Sequence, residues 1–237
     1  MAKKNSAPYE MNRGERIGGT IFFLLYFLVL PVCITPLFDL LEKSLGVVIG
    51  ASLRNSLYYY VLFAVCILLF HSYLAKTTSR FFDNLNQTLG SFLLGLVAFY
   101  GGNELVFRAV KPLFGAQTNL NDTAIAVQVE SAPLTTAVIV LFLAPFVEET
   151  LFRGFLFGSL KSKSRIVAYL LSCTLFAAIH VWTFAVFQWD LRYLALLLQY
   201  LVPGFVFAFV YDKSGTLWAP VLLHVCVNAL AFFLILL

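Results

Sequence analysis

The sequence predicts an all-α fold, a polytopic transmembrane helix bundle of about seven helices. Two observations carry that prediction. Of the 237 residues, 61% are hydrophobic and 12% charged, whereas soluble domains carry about 25% charged residues. Several apolar runs also reach the roughly 20 residues that a helix needs to cross a bilayer's hydrocarbon. These runs lack the alternating polarity of barrel strands, and hydrocarbon offers no water to an unpaired backbone, so each run reads as a helix.

In chain order, residues 1–16 form a polar, basic tail, and the apolar run behind it has no small-residue cleavage pattern. The tail is therefore expected to be retained and cytoplasmic. The predicted spans Ile17–Phe38, Leu57–Ala75 and Leu89–Phe107 belong to an N-terminal region, 17–131, which also holds most of a long external loop from Arg108 to Leu134. The spans Thr135–Phe157, Ile166–Val186, Leu194–Tyr211 and Leu217–Leu237 make up a C-terminal core, 132–237. An eighth span or a re-entrant piece fits between Leu40 and Leu53. The long loop is a lid or a linker, with 115–119 as exposed polar chain. Tyr58-Tyr59-Tyr60 fits an interfacial aromatic belt, and the first three helices carry no chemistry-bearing cluster. Eleven of the sixteen Lys and Arg residues, counting Arg153 with the loop behind it, fall on the N-terminal side of the membrane. The positive-inside rule then puts the N-terminus in the cytoplasm.

Composition also narrows the partners. In a membrane protein the position of Lys and Arg outweighs their sum, so the formal charge of +4 gives no nucleic-acid function. Cys33, Cys66, Cys173 and Cys226 each lie alone in an apolar segment with no CxxC spacing, as small buried residues and not as redox or metal groups. No lipidation signal is present, so the protein is expected to span the membrane and contact its lipids directly, not to be anchored to it.

The polar residues inside the late spans need the most explanation. A carboxylate at bilayer depth costs a few kcal/mol and usually faces a polar cavity, and Glu148-Glu149 places two side by side. Glu149 and Arg153 stand four residues apart with the acid first, the favourable order for an intrahelical ion pair. Glu148 points about 100° away from its neighbour and is left for another task. Phe176 and His180 share one face of the next helix, and His224 and Asn228 share one face of the last. Counting along the helices puts Glu148 about 14–18 Å, His180 about 21 Å, His224 about 11 Å and Asn228 about 17 Å from the cytoplasmic side. Four polar side chains from three helices thus converge on one membrane layer. Pro145 and Pro220 stand shortly before Glu148 and His224 and can free carbonyls toward a wet pocket, though Pro220 also fits the first turn of its helix.

A carboxylate and a histidine sharing a water make a general base, and a second histidine with an amide can donate to a developing oxyanion. These parts describe addition of water to an amide carbonyl. Two histidines and a glutamate could instead hold zinc. The sequence has no HExxH, and Asn228 beside His224 suits a hydrogen-bond donor better than a zinc ligand, so the expectation is a site without a metal or other cofactor, with zinc as the alternative.

Glu148-Glu149-xxx-Arg153, Phe176-xxx-His180 and His224-xxx-Asn228, in this order on late membrane helices, resemble the motifs of the CPBP family. That family includes CaaX prenyl proteases and the bacterial Abi proteins linked to bacteriocin processing and self-immunity. The resemblance covers roughly Ala132 to the C-terminus. It implies a glutamate-type intramembrane endopeptidase acting on a hydrophobic or lipid-modified peptide, in which Glu148 and His180 activate water. His224 with Asn228 would form the oxyanion hole, and Glu149, Arg153 and Phe176 would brace the site. The small size and short tails suggest a bacterial plasma membrane protein. A non-enzymic immunity or scaffold protein and a transporter are the competing readings.

Overall fold

The computed structural model describes residues 11–114, 120–188 and 192–236. Among them are ten helices and no strand. They are α1 (Arg13–Leu45), α2 (Ala51–Leu69), α3 (His71–Asp83), α4 (Leu85–Phe114) and α5 (Leu120–Ser131), followed by α6 (Pro133–Lys161), α7 (Arg165–Ile179), α8 (Trp182–Gln188), α9 (Arg192–Ser214) and α10 (Trp218–Leu236). Six are long and apolar enough to cross a membrane: α1, α2, α4, α6, α9 and α10. The all-α, polytopic bundle stands, and the protein is a multi-pass membrane protein.

The predicted fifth span, Ile166–Val186, is divided. Helix α7 has only 15 residues, about 22 Å at the helical rise, which falls short of the roughly 30 Å of hydrocarbon. The cause is local. Continuing the helix would have the His180 N–H donate to the Phe176 carbonyl, but the imidazole Nδ1 lies 2.8 Å from that oxygen. The His180 N–H turns instead to Ala177, and that of Val181 to Ala178. The chain tightens and restarts as α8.

Other boundaries also move. The segment 40–53 holds no eighth span; it is the end of α1, a turn and the start of α2, with Gly46 at φ 66°, a left-handed conformation that glycine adopts without penalty. The second span ends at Leu69, six residues before the predicted Ala75, because the chain bends at Phe70. Glu15 supports that bend from α1. Its carboxylate accepts the Asn12 N–H while its own backbone N–H donates to Asn12 Oδ1, and the carboxylate also accepts the Tyr73 N–H at 2.7 Å, giving α3 an N-terminal cap from another helix. The connection 108–134 is mostly helical, since α4 runs to Phe114 and α5 fills 120–131. Its 115–119 portion, like the first ten residues of the tail, lies outside the described residues.

Helix α6 is the centre. It touches α1, α2, α7, α9 and α10, and 56% of its most apolar stretch is buried, against 11% in α2 and in α4. Glycine lets the surrounding helices close in: a Cβ on Gly95 of α4 would stand 2.5 Å from Val210 and 2.6 Å from Leu223. The start of α10 is fixed by α3. Thr77 Oγ1 accepts the Leu217 N–H at 2.7 Å, Thr216 Oγ1 donates to the Thr77 carbonyl, and the Trp218 indole donates to Thr78 at 2.8 Å. Pro220 lies in the first turn of α10, where its missing N–H is no loss.

Candidate active site

Helix α6 presents its acidic pair between two π-helical stretches, Ile139–Leu143 and Thr150–Phe157. Such stretches re-aim side chains and recur at functional sites. Glu149 and Arg153 are completely buried, and their Oε1 and Nη1 stand 3.1 Å apart. Arg153 also donates from Nη2 to the Gly204 carbonyl of α9 at 3.0 Å. Its guanidinium lies 4.2 Å from the Phe176 ring centre and 5.3 Å from that of Phe207. Charge pairing, a hydrogen bond and two aromatic faces together offset the desolvation of this cation.

Glu149 does more than neutralise Arg153. The same Oε1 stands 2.9 Å from His224 Nδ1. A carboxylate is an acceptor, so Nδ1 carries a proton and the ring's other nitrogen is aimed at the site. That nitrogen, Nε2, lies 4.0 Å from Glu148 Oε2, a separation that a shared water can bridge. Phe207 stacks on the His224 ring at 4.6 Å and 20°, which fixes its plane.

Glu148 opens onto a cavity of about 560 Å³ that His180 also lines. Because the His180 Nδ1 serves the Phe176 carbonyl, its Nε2 is the nitrogen left for chemistry. Tyr200 stacks on this ring at 4.4 Å and 18°. Phe176 stands between the histidines, 5.0 Å from His180 and 6.2 Å from His224. The two imidazoles therefore share one design: Nδ1 is braced, the ring is clamped by an aromatic side chain, and Nε2 remains available.

Asn228 has a partner the sequence did not foresee. Its Nδ2 donates to the Val140 carbonyl at 2.9 Å. In the π register the Ala144 N–H bonds Ile139, and the next donor in line would be residue 145, a proline. The Val140 carbonyl thus loses its intrahelical donor, and Asn228 supplies a replacement. Its second amide proton remains for another acceptor.

The N-terminal helices are not chemically quiet. Tyr26 of α1 and Tyr58 and Tyr59 of α2 line the cavity with Glu148, and Arg54, Asn55 and Gln128 line it farther along. Tyr58 and Tyr59 are therefore wall residues and not belt residues, whereas the exposed Tyr60 fits the belt. The sequence carried no signal for this, because adjacent tyrosines near the end of an apolar run look alike whether they face headgroups or a polar chamber. Among the described residues, no three His, Cys, Asp or Glu side chains form a group able to hold a metal ion.

Residues 130–230 match the family described as type II CAAX prenyl endopeptidase Rce1-like. The chain is also 31% identical over 139 residues to "UPF0177 protein YxdF" of Lactococcus lactis, covering 58% of this chain and 72% of that one. It belongs to the Rce1-like family. A second relative of the chain is "Putative membrane peptidase YdiL" of Bacillus subtilis, 31% identical over 109 residues, which cover 46% of this chain and 40% of that protein. No solved structure matches. The Rce1-like region contains Glu148, Glu149, Arg153, Phe176, His180, His224 and Asn228, while the tyrosines and Arg54 on the cavity wall precede it.

Proposed function

We propose that this protein is an intramembrane endopeptidase that hydrolyses a peptide bond in a small hydrophobic or lipid-modified peptide or protein. The observation that carries the reading is the placement of Glu148 at a cavity, with His180 on the same wall and His224 Nε2 4.0 Å from its carboxylate. Family membership supports the reaction class. The proposed setting is a bacterial plasma membrane with the N-terminus inside, and the proposed role is maturation of a peptide such as a bacteriocin or signal, or self-immunity to one.

In this mechanism Glu148, with His180, takes a proton from a water in the cavity, and the resulting hydroxide adds to the substrate carbonyl carbon. The C=O electron pair moves onto oxygen, where His224 Nε2–H and the second Asn228 amide proton stabilise it. His224 Nδ1 is committed to Glu149, so in this mechanism Nε2 donates from the doubly protonated ring. Collapse reforms the carbonyl and breaks the C–N bond, while the proton held by Glu148 passes to the departing amine. Glu149 and Arg153 hold His224 without touching substrate. We propose chemistry without a metal, because the braced imidazoles and Glu148 supply base and donors.

Glu148→Gln, His180→Ala and His224→Ala should each lower cleavage of a membrane-presented peptide, by about 10²–10⁴-fold for the glutamate. Full activity in all three variants would sink the reading. A chelator should leave the wild-type rate unchanged; loss restored by zinc would replace the metal-free mechanism with a zinc one.

A further inference from the structure

Resting on the peptidase reading above, we propose that the site is entered only from the membrane face opposite the N-terminus, so that its substrate is a peptide segment lying on that face. Every helix that lines the cavity contributes residues on the same side of Glu148.

Polar contacts fix which helix ends share a face. Glu15, near the start of α1, accepts from Tyr73 of α3, and Lys161 at the end of α6 pairs with Asp212 near the end of α9. These ends lie at the N-terminal face. At the opposite face Arg54, near the start of α2, pairs with Glu42 near the end of α1, and Asn55 donates to Gln128 of α5, just before α6 begins. The cavity runs from Glu148 toward this second face. On α6 its described wall extends back from Glu148 to Thr135 and takes in no residue beyond Glu148. On α1 it lies between 26 and 38, and on α2 between 51 and 59, the outer half of that helix. Helix α7 starts at the N-terminal face, and only its outer end reaches the cavity, through Ile179 and His180.

On the N-terminal side of Glu148 the core is closed. Phe152 stands about one turn beyond Glu148 on α6 and is completely buried. Its ring centre lies 5.4 Å from those of Phe23 and Phe176 and 6.4 Å from that of Tyr26. Tyr26 also lines the cavity, so the Tyr26–Phe152 contact marks its floor. A second aromatic layer follows: Phe157 meets Tyr211 at 5.7 Å, and the Tyr211 hydroxyl shares a hydrogen bond with that of Tyr73 at 2.9 Å. Packing of this kind leaves no path for water, and a main chain forced through it would lose its hydrogen-bond partners.

The other end suits a polar chain. Ser52, Asn55, Gln128 and Ser131 line it where α2 and α5 meet, and their side chains can serve main-chain amides. Water for the reaction arrives by the same route. With the N-terminus in the cytoplasm, as proposed above, this mouth faces outward. The substrate is then a segment already carried across the membrane, and the class of reaction that supplies it is export.

Two measurements on the full chain test this. In the first, wild type with an N-terminal affinity tag is sealed into lipid vesicles, which are sorted by whether the tag is outside or enclosed. A quenched fluorescent apolar peptide coupled to dextran, unable to cross a bilayer, is added outside. Vesicles enclosing the tag should cleave it at least tenfold faster than the others, and detergent should abolish the difference. Equal rates before detergent, or the reverse order, would overturn the inference. No cleavage even in detergent would overturn the peptidase reading and leave the entrance to be judged by the second measurement. There, Cys33, Cys66, Cys173 and Cys226 are replaced by alanine, and Ile179→Cys in the cavity or Lys163→Cys in the α6–α7 turn meets a charged, impermeant thiol reagent from either face. Ile179→Cys should react at least tenfold faster from the face opposite the tag, and Lys163→Cys from the tag face. Ile179→Cys reacting faster from the tag face, equally from both or from neither would overturn the inference. A tag accessible on the outside of intact cells would overturn the assignment to exported peptides.

Discussion

Two Glu–Arg pairs with the same four-residue spacing sit in the two halves of the chain, in opposite surroundings. Glu104 and Arg108 on α4 stand 2.6 Å apart with side chains 55% and 76% exposed, whereas Glu149 and Arg153 on α6 are 3.1 Å apart and fully buried. The shorter contact is the less consequential one. An exposed pair is stabilised by about 0.3–0.5 kcal/mol, because solvent already serves both charges. At Glu149 and Arg153 no solvent is at hand, so Glu149 Oε1 and the Arg153 Nη1 and Nη2 groups are served by the protein, and the pair extends into Gly204, Phe176, Phe207 and His224. Helical spacing identifies a pair, and the neighbours decide whether it is a surface detail or a keystone of the site.

Breaking each pair separately tests that contrast most strongly. Arg153→Ala should destabilise the protein by about 3–5 kcal/mol, since it leaves a buried carboxylate uncompensated. It should also lower peptidase activity in whatever folded protein remains, because Glu149 then has no cation to hold it against His224. Arg108→Ala should shift stability by less than about 0.5 kcal/mol. Thermal unfolding in matched detergent gives both numbers, and equal losses would remove the distinction between the halves.

A smaller effect is expected one helix away. A Cβ on Gly204 would stand 3.1 Å from the Cys173 carbonyl oxygen and 3.2 Å from its Cα, backbone atoms that cannot rotate aside. Gly204→Ala should push α7 from α9 and cost about 1–3 kcal/mol. The carbonyl of the same residue accepts from Arg153, so the shift should also reach the site and lower kcat. Stability loss with kcat unchanged would show that Arg153 keeps its geometry without that carbonyl.

These residues also mark how far the sequence could be read. Glu149 and Arg153 were legible because helical geometry alone sets their spacing. Glu148, Phe176, His180, His224 and Asn228 were legible as a set because three helices carry motifs in one order at similar depth. The helical bundle followed from apolar length. The break at His180 was not legible, because it depends on an imidazole displacing a backbone N–H from one carbonyl. The cavity wall on α1 and α2 was hidden for a different reason. Whether Tyr26, Tyr58 and Tyr59 face lipid or Glu148 is set by how α1 and α2 rotate against α6, and no local pattern records that rotation.

Among the site residues the smallest stability effect belongs to Asn228, where bracing and chemistry can be separated. If its amide only replaced the donor that Pro145 withholds from Val140, Asn228→Ala would orphan one buried carbonyl at a cost of about 1–2 kcal/mol, and the folded enzyme would turn over normally. The proposed mechanism requires more, because the second amide proton supports the oxyanion and that charge develops only in the transition state. The expected outcome is therefore the same modest loss of stability, a kcat reduced at least tenfold, and a KM close to that of the wild type. An unchanged kcat would confine Asn228 to holding the π turn of α6 and leave His224 Nε2 as the oxyanion donor.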